Sequence, residues 1–298
     1  MKRGCLSIVL TLCTLSAMSE SVTVTEIDGS GDHRIFCVGA LTRVLLEPVV
    51  WRLADTGRID LNAAVTDCLT TPIPPEYERL TLRDLHAGQA ALPDDAQPIS
   101  GETPHAALVR CLWSLRTRVD FAFGSPRPSK VASALFWVAV SERLGLTLDQ
   151  LLTTYLVEPY GLKDTSFLPV EARQGRMVAS NRSRSLPSLC SDGLLSSPHD
   201  ILRLAYVMLP HLARARAWLR TDSLLCGHAI AYAFGETPDD GAAFLGFDHE
   251  TRRTVLRLSA GERFALSEAL GLVESLETLS NESLILKPKT QQGKGVMQ

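Results

Sequence analysis

The 298-residue sequence has neither a large net charge nor a regular cysteine pattern. Its formal net charge is only −3, so no basic excess favours nucleic acid or an anionic membrane surface as a partner. Its seven cysteines are odd in number, and no two have Cys-x-x-Cys or metal-site spacing. Isolated cysteines of this kind predict small apolar side chains rather than a disulfide framework. The cysteine pattern therefore gives no reason to expect a metal, and we expect no cofactor.

Long apolar runs are also scarce. The run 5–15 follows Met1-Lys2-Arg3 and is too short to span a bilayer. Residues 1–19 have the layout of a short secretory signal, but residues 4–10 also suit the first strand of a domain, with residues 21–26 as hairpin partner. We favour the strand and a cytoplasmic protein, since the scattered cysteines point the same way. A secreted or periplasmic protein is the alternative.

What the sequence does contain is enough apolar residue, 45%, for a large core. Apolar spacing predicts a buried helix within residues 35–54, which Pro48 should kink or break. Residues 280–298 form a polar tail that we expect to be disordered. Further elements follow from periodicity and turn residues: helices over 129–144, 148–157 (ended by Pro159), 198–219 (broken at Pro210) and 262–279, and strands over 242–247 and 253–258.

Five segments in order resemble the serine β-lactamase and penicillin-binding-protein family, in particular its class C relatives. Residues 36–43, Phe-Cys-Val-Gly-Ala-Leu-Thr-Arg, are similar to the Phe-x-Ile-Gly-Ser-x-x-Lys run at the family's catalytic helix. This first segment continues after the helix with residues 57–61, Gly-Arg-Ile-Asp-Leu, which are similar to the family's Gly-Lys-Leu-Asp-Leu. The other four similar segments are 80–93, 151–167, 191–201 and 243–251.

The resemblance implies an α+β fold of the β-lactamase/transpeptidase type. We expect a central antiparallel sheet flanked by helices, with a mostly helical subdomain, over residues 1–279. Fold does not imply function, so activity has to be argued at the site.

The catalytic positions of the family are altered here. The family's serine accepts the acyl group, and its lysine, one helical turn on, helps to take the serine proton. These positions hold Ala40 and Arg43. Alanine has no nucleophilic atom, and arginine keeps its proton in proteins.

The remaining motifs have changed as well. The family's Tyr-x-Asn falls on Pro128-Ser129-Lys130, where proline supplies no hydroxyl. Its His-Thr-Ser-Gly has become residues 88–91, with Ala91 at the last position. Its Lys/His-Thr-Gly, on the strand beside the nucleophile, aligns either with residues 227–230, which would keep His228, or with a deletion near residues 240–241. The sequence leaves these two alignments open.

We therefore predict a catalytically inactive homologue, a pseudoenzyme, with no catalytic residue. The candidate binding residues are Arg43, Ser129, Lys130 and His228. Their ligand would be a small acyl, carboxylate or peptide compound, such as an acylated amino acid or a peptide C-terminus held by Arg43, or a protein partner.

The alternative is an active hydrolase or acyltransferase (esterase, amidase or transacylase) with a relocated nucleophile. Its candidates are Ser129, Cys37 or a serine within 183–191. Simpler interpretations exist: Ser129 as a helix-start residue and Cys37 as a buried thiol. His86, where the family has leucine, is predicted to be peripheral. Proximity of a candidate nucleophile to a base in the folded cleft distinguishes the two hypotheses.

Overall fold

A computed structural model describes most of the chain. The described residues are 10–11, 20–24, 34–90, 92–93, 96–97, 100–114, 129–170, 176–178, 185–215, 219–223, 229–237, 241–248, 253–260 and 263–283. Pro128, Ala91, His228 and most of the predicted first strand lie outside these residues. The predicted tail lies outside them beyond Ser283.

The described elements begin with three short strands, continue with a mostly helical region and end with four strands and a helix. In chain order they are β1 Leu10–Thr11, β2 Glu20–Val24, β3 Phe36–Cys37, α1 Leu41–Leu45, α2 Glu47–Asp55, α3 Val65–Cys68, a 3-10 helix Pro75–Arg79, α4 Leu82–His86, α5 Pro104–Ser114, α6 Lys130–Leu144, α7 Leu148–Leu152, a π-helix Thr153–Val157, α8 Glu158–Tyr160, α9 Leu186–Asp192, β4 Leu195–Ser196, α10 Pro198–Met208, a 3-10 helix Leu209–Ala215, β5 Arg220–Ser223, β6 Ala229–Glu236, β7 Ala242–Asp248, β8 Arg253–Ala260 and α11 Leu266–Ser283.

The main sheet is antiparallel and, within the described residues, has the order β1-β2-β8-β7-β6-β5. A small second sheet pairs β3 with β4. In the main sheet β2 pairs with β8, and Leu10 pairs with Val24. A hairpin therefore joins the N-terminal region to the sheet, in the region where the sequence predicted one.

The two faces of the sheet pack against different cores. Ala243, Leu245 and Phe247 of β7 belong to the large core shared with the helical region. Phe244, on the opposite face, packs in a smaller core with residues of α11 such as Ala269. This two-sided burial explains why β7 is almost continuously apolar.

The apolar helix predicted within residues 35–54 is broken, as Pro48 requires. Helix α1 ends at Leu45, and α2 begins at Glu47 with Pro48 in its first turn. A proline is tolerated there because the first N–H groups of a helix have no intrahelical partner.

Helix α6 is the central helix of the helical region. Ser129 caps its N-terminus, and Gly145, with a φ of 65°, ends it in the left-handed conformation. Residues 131–140 are all buried. Among the described residues no single helix could cross a membrane by length and composition; α6 and the helix after it pass that test only as a pair bent by 83°.

Three other helix predictions need correction. The helix from Leu148 was expected to end at Pro159, but it continues to Tyr160 and ends at Gly161. Pro159 fits because it lies in the first turn of α8, after a π-helical turn. The helix predicted over 198–219 ends at Ala215, and α11 runs to Ser283, four residues beyond the predicted boundary at 279.

Candidate functional site

The residue at the family's nucleophile position sits in a narrow seam between α1 and β6. Ala40 is half-buried and directly precedes α1. Gly39, before it, has a φ of +51°, and a Cβ there would overlap the carbonyl oxygen of Glu236. Only glycine suits this backbone and this close approach.

The strand side of the seam is equally close. A Cβ on Gly235 would overlap the Ala40 Cβ, and the Ala40 amide nitrogen lies 3.4 Å from the Glu236 carbonyl oxygen. The strand residue beside the nucleophile position is therefore Gly235. The amide of Ala40 points at a backbone acceptor.

This geometry gives the last family motif a register that sequence comparison missed. If Gly235 is the retained glycine, the motif falls on Ala233-Phe234-Gly235, and its basic and threonine positions hold alanine and phenylalanine. Ala233 packs in the large core with the helices, whereas Ile230 belongs to the smaller core on the other face. Both alignments considered from sequence place the motif elsewhere. The available signal was a glycine inside a strand, which marks a close backbone approach.

Arg43, one turn into α1, lines a small cavity in the helical region. The cavity measures about 20 Å³, and its polar lining consists of Arg43, His86 and Ser133. Leu85, Phe136 and Trp137 are among its apolar walls. One water needs roughly 10–15 Å³, so the cavity holds one or two water-sized groups.

His86 is not peripheral, contrary to the prediction from sequence. Its Nε2 lies 2.9 Å from Oε1 of Glu47, whose side chain is 1% exposed. Its ring centroid lies 5.1 Å from that of Phe136. A buried carboxylate favours a charged or hydrogen-bonding partner. His86 lies within ion-pair distance of Glu47, but neither carboxylate oxygen has a hydrogen-bond partner among the described residues. The signal in the sequence was a single Glu47 within an apolar helix.

Ser129 and Lys130, two candidate binding residues, are both engaged. The Ser129 hydroxyl donates to the Pro93 carbonyl at 2.7 Å and accepts from the Ala132 amide at 3.1 Å. Lys130 Nζ lies 2.6 Å from Asp192 Oδ2. Ser129 is thus the helix-start residue of α6, and Lys130 bridges α6 to α9.

Three other proposed nucleophiles, Cys37, Ser185 and Ser191, have structural contacts, and Ser183 lies outside the described residues. The Cys37 thiol is buried and donates to the Asp192 carbonyl at 3.4 Å. Ser185 caps α9, and the buried Ser191 hydroxyl donates to the Pro187 carbonyl at 2.7 Å. Within α9, burial raises the pKa of Cys190 to about 12, so its thiol stays protonated at neutral pH.

A second polar cluster joins two of the family-like segments. Asp200 is fully buried, and its Oδ2 accepts from the Lys163 amide at 3.0 Å, the Asp164 amide at 2.7 Å and the Thr165 hydroxyl at 2.9 Å. Thr165 and Ser196 share a hydrogen bond of 2.9 Å. These contacts tie residues 158–167 to residues 191–201. Among the described residues, no group of three His, Cys, Asp or Glu side chains could hold a metal ion.

Comparison with known proteins identifies the family of this chain. The β-lactamase family profile matches residues 27–245. The D-alanyl-D-alanine-carboxypeptidase/endopeptidase AmpH of Escherichia coli strain K12 is 26% identical over 188 residues, 56% of this chain and 46% of that protein. The chain thus spans about half the length of this curated relative.

Solved structures with a similar fold include three from different organisms. A class C β-lactamase from Rhodobacter sphaeroides has a TM-score of 0.65 and 15% identity, covering 84% of this chain and 86% of that chain. A β-lactamase/D-alanine carboxypeptidase from Yersinia pestis, complexed with citrate, has a TM-score of 0.61 and 16% identity, covering 84% of both chains. The octameric penicillin-binding protein homologue from Pyrococcus abyssi has a TM-score of 0.63 and 14% identity, covering 83% and 66%. The fold is therefore the expected β-lactamase/transpeptidase fold, and the chain belongs to the β-lactamase family of serine hydrolases.

Proposed function

We propose that this protein is a catalytically silent member of its family that acts by binding a ligand or partner. The observation that carries the proposal is the seam at Ala40. Its side chain is a methyl group against Gly235, and its amide lies 3.4 Å from the Glu236 carbonyl oxygen. Acyl transfer needs a nucleophile and backbone donors aimed at the developing oxyanion. Position 40 supplies no nucleophile, and its amide faces an acceptor.

The surroundings of Arg43 support the same proposal. An arginine cannot take a proton from an attacking group, and here its side chain lines a cavity within the helices. The positions aligned with the last motif, Ala233 and Phe234, add no base. The carboxypeptidase and endopeptidase activities named for the Escherichia coli relative are therefore not carried over to this chain.

One observation favours the alternative, an active hydrolase or acyltransferase with a relocated nucleophile. Ser133 lines the same cavity as His86, and His86 is paired with the Glu47 carboxylate. These are the residue types of a serine–histidine–carboxylate triad. Against it, the Ser133 hydroxyl donates to the Ser129 carbonyl at 3.1 Å, and a cavity of about 20 Å³ is too small for an ester or amide substrate.

Labelling with a fluorophosphonate, read by intact mass and peptide mapping, tests the proposal against this alternative. We expect no adduct on the wild-type protein. A stoichiometric adduct that maps to Ser133 and is lost in Ser133→Ala would establish the alternative. A matched control is Ser114→Ala, because Ser114 is an exposed serine at the end of α5.

The cellular location is part of the proposal. We place the protein in the cytoplasm, without nucleic acid or a membrane as partner. Pairing of β2 with β8 and of Leu10 with Val24 supports an N-terminal segment that is retained in the sheet. Sequencing the N-terminus of the native protein tests this, since a start near Glu20 would favour the signal-peptide alternative and a secreted or periplasmic location.

A further inference from the structure

The outer edge of the main sheet is formed by β5, a short polar strand. β5 is the last strand in the order β1-β2-β8-β7-β6-β5, and within the described part of the chain no strand pairs with its other side. Its sequence is Arg-Thr-Asp-Ser, and Arg220 and Thr221 are exposed. Alternate residues of an antiparallel strand direct their N–H and C=O groups to opposite sides. The outer side of β5 therefore carries backbone groups that can pair with another strand.

The length of β5 limits how far such pairing can extend. β5 pairs with residues 229–232 of β6. Beyond them the end of β6 meets the start of α1, where the Glu236 carbonyl oxygen lies 3.4 Å from the Ala40 amide nitrogen. A strand added at this edge therefore follows the four residues of β5 and does not continue along the rest of β6.

The charges of β5 restrict which strand can pair with it. Arg220 and Asp222 have opposite signs and are two residues apart. Charged residues on an edge strand commonly prevent copies of a protein from pairing, and like charges directly opposite each other are destabilising. Two opposite charges at this spacing differ from that pattern, because a copy of the strand running in the antiparallel direction presents the complementary charges.

Symmetry selects one register for two copies of β5. Directly opposite residues of an antiparallel pair either bond to each other or both point away, so a two-fold axis passes through a residue position. An axis at position 220 or 222 would place like charges opposite each other. An axis at Thr221 places Arg220 of each copy opposite position 222 of the other, and it places the two Thr221 residues opposite each other. Threonine pairs and opposite-charge pairs both stabilise a sheet.

We propose that β5 is a self-association edge, at which two copies of this chain pair antiparallel about a two-fold axis at Thr221. The partner is a second copy because the charges of this edge are self-complementary in that single register, and a two-fold interface uses the same patch on both copies. Stable interfaces bury roughly 1,200–2,000 Å², and the pairing of four-residue strands buries less. The dimer is therefore weak and depends on concentration. This inference goes beyond the proposed function and does not depend on it.

Sedimentation equilibrium of the full chain tests the association. We expect the weight-average mass to rise from that of one chain toward that of two over about 10 μM to 1 mM, the range of weak complexes. The rise should be smaller at high salt, because exposed charge pairs are screened. A mass that stays at that of one chain up to about 1 mM would overturn the proposal.

Charge variants test the register. Arg220→Asp turns two attractive cross-strand pairs into repulsive ones, so it should weaken dimerisation at least about fivefold. Adding Asp222→Arg to Arg220→Asp restores opposite charges and should restore the dimer. Arg52→Asp, at an exposed arginine on α2, is the matched control and should dimerise as the wild type does. Wild-type dimerisation of Arg220→Asp, or failure of the double variant to recover, would overturn the proposed register.

A cysteine at the axis provides a second measurement. Opposite residues of an antiparallel pair have Cα atoms about 4.5–5.5 Å apart, within the range of about 4.4–6.8 Å that a disulfide spans. Oxidised Thr221→Cys should therefore form a covalent dimer. Thr154→Cys, at an exposed threonine of the π-helix, is the matched control. A covalent dimer no more abundant in Thr221→Cys than in Thr154→Cys would contradict the pairing, whether or not the charge variants fold. None of these variants alters position 40, so the result is separable from that of the fluorophosphonate experiment.

Discussion

The Asp200 network and the seam at Ala40 differ in what they retain of the family's sequence. The first retains polar side chains that make hydrogen bonds, and the second retains glycines but not the catalytic side chains. Around Asp200 the family-like side chains hydrogen-bond to one another, and they link a loop, a strand and the start of α10. Around Ala40 only the glycines Gly39 and Gly235 match, and they match because the backbones approach too closely for a side chain. What a chain keeps in such a fold is what its packing requires. Side chains that serve only chemistry can change without loss of the scaffold.

The largest expected effect lies in the Asp200 network. Asp200→Ala leaves the Lys163 amide, the Asp164 amide and the Thr165 hydroxyl without their acceptor in a buried site. A buried donor left without an acceptor costs about 1–3 kcal/mol, and three donors lose their acceptor here. Urea unfolding measures the loss of free energy, with Asp67→Ala as control because Asp67 is an exposed aspartate on α3. A loss below about 1 kcal/mol, the range of many surface changes, would contradict the structural role given to the network.

A smaller loss of stability is expected from changes to the Glu47–His86 pair. Glu47→Gln removes a buried charge but keeps the shape, and we expect a cost of about 1–3 kcal/mol from the weakened pairing. His86→Leu leaves the Glu47 carboxylate without its imidazole. The double variant should cost less than the sum of the two, with a coupling of at least about 0.5 kcal/mol.

The control for this cycle is Glu78→Gln, at an exposed glutamate of the 3-10 helix. Additive effects of Glu47→Gln and His86→Leu would show that the 2.9 Å contact contributes nothing to stability. His86 would then be peripheral in energy although it is central in position.

Glu142, which lies outside both regions, makes a contribution to folding stability that depends on pH. Burial would raise the pKa of this carboxyl, but hydrogen bonds from Thr70 and Thr71 outweigh it and hold the pKa below its ordinary value of 4.5. A carboxyl with a lowered folded pKa stabilises the protein above the unfolded value, and this stability is lost as pH falls through the folded pKa. Glu142 should therefore stabilise the folded protein at neutral pH and lose that contribution in acid.

Urea unfolding at pH 7 and at pH 3 to 4 checks the contribution of Glu142. The stability difference between wild type and Glu142→Gln should shrink as pH falls below about 4.5. Glu158→Gln, at a more exposed glutamate in α8, serves as control. A difference that does not change with pH would mean that the Thr70 and Thr71 contacts do not depend on the charge.

Several features near the site could be predicted from the sequence because they are local. Pro48 fixes the break between α1 and α2, and Ser129 fixes the start of α6, since the backbone needs of a helix terminus involve only neighbouring residues. The identities of Ala40 and Arg43 are visible directly. The family-like segments predicted a central sheet and a helical region, and the structure confirms both.

The features that could not be predicted are contacts between distant residues. Glu47 and His86 lie on different helices, and either alone gives no indication of a buried pair. The register of the last motif was missed because its two distinctive side chains are absent at Ala233 and Phe234, and a single glycine is too weak a signal. The motif can be aligned only from the packing of Gly235 against Ala40.

The smallest expected effect comes from restoring the family residues at the seam. Ala40→Ser with Arg43→Lys should change stability by less than about 1 kcal/mol, because Ala40 is only half-buried and Arg43→Lys keeps the positive charge. It should also give little hydrolysis of penicillins or activated esters, because catalytic groups act as a unit and the positions aligned with the other motifs stay altered. Hydrolysis far above the buffer rate would show that the rest of the site is intact.

The central claim is that the wild-type seam at Ala40 cannot form an acyl-enzyme. Intact mass spectrometry after prolonged incubation of the wild-type protein with a penicillin and with an activated ester tests this most directly. The predicted result is an unchanged mass, since Ala40 has no attacking atom and the Ser129, Ser191 and Cys37 side chains are engaged in structural contacts. A stoichiometric mass increase that maps to any residue lining the seam or the Arg43 cavity would contradict it.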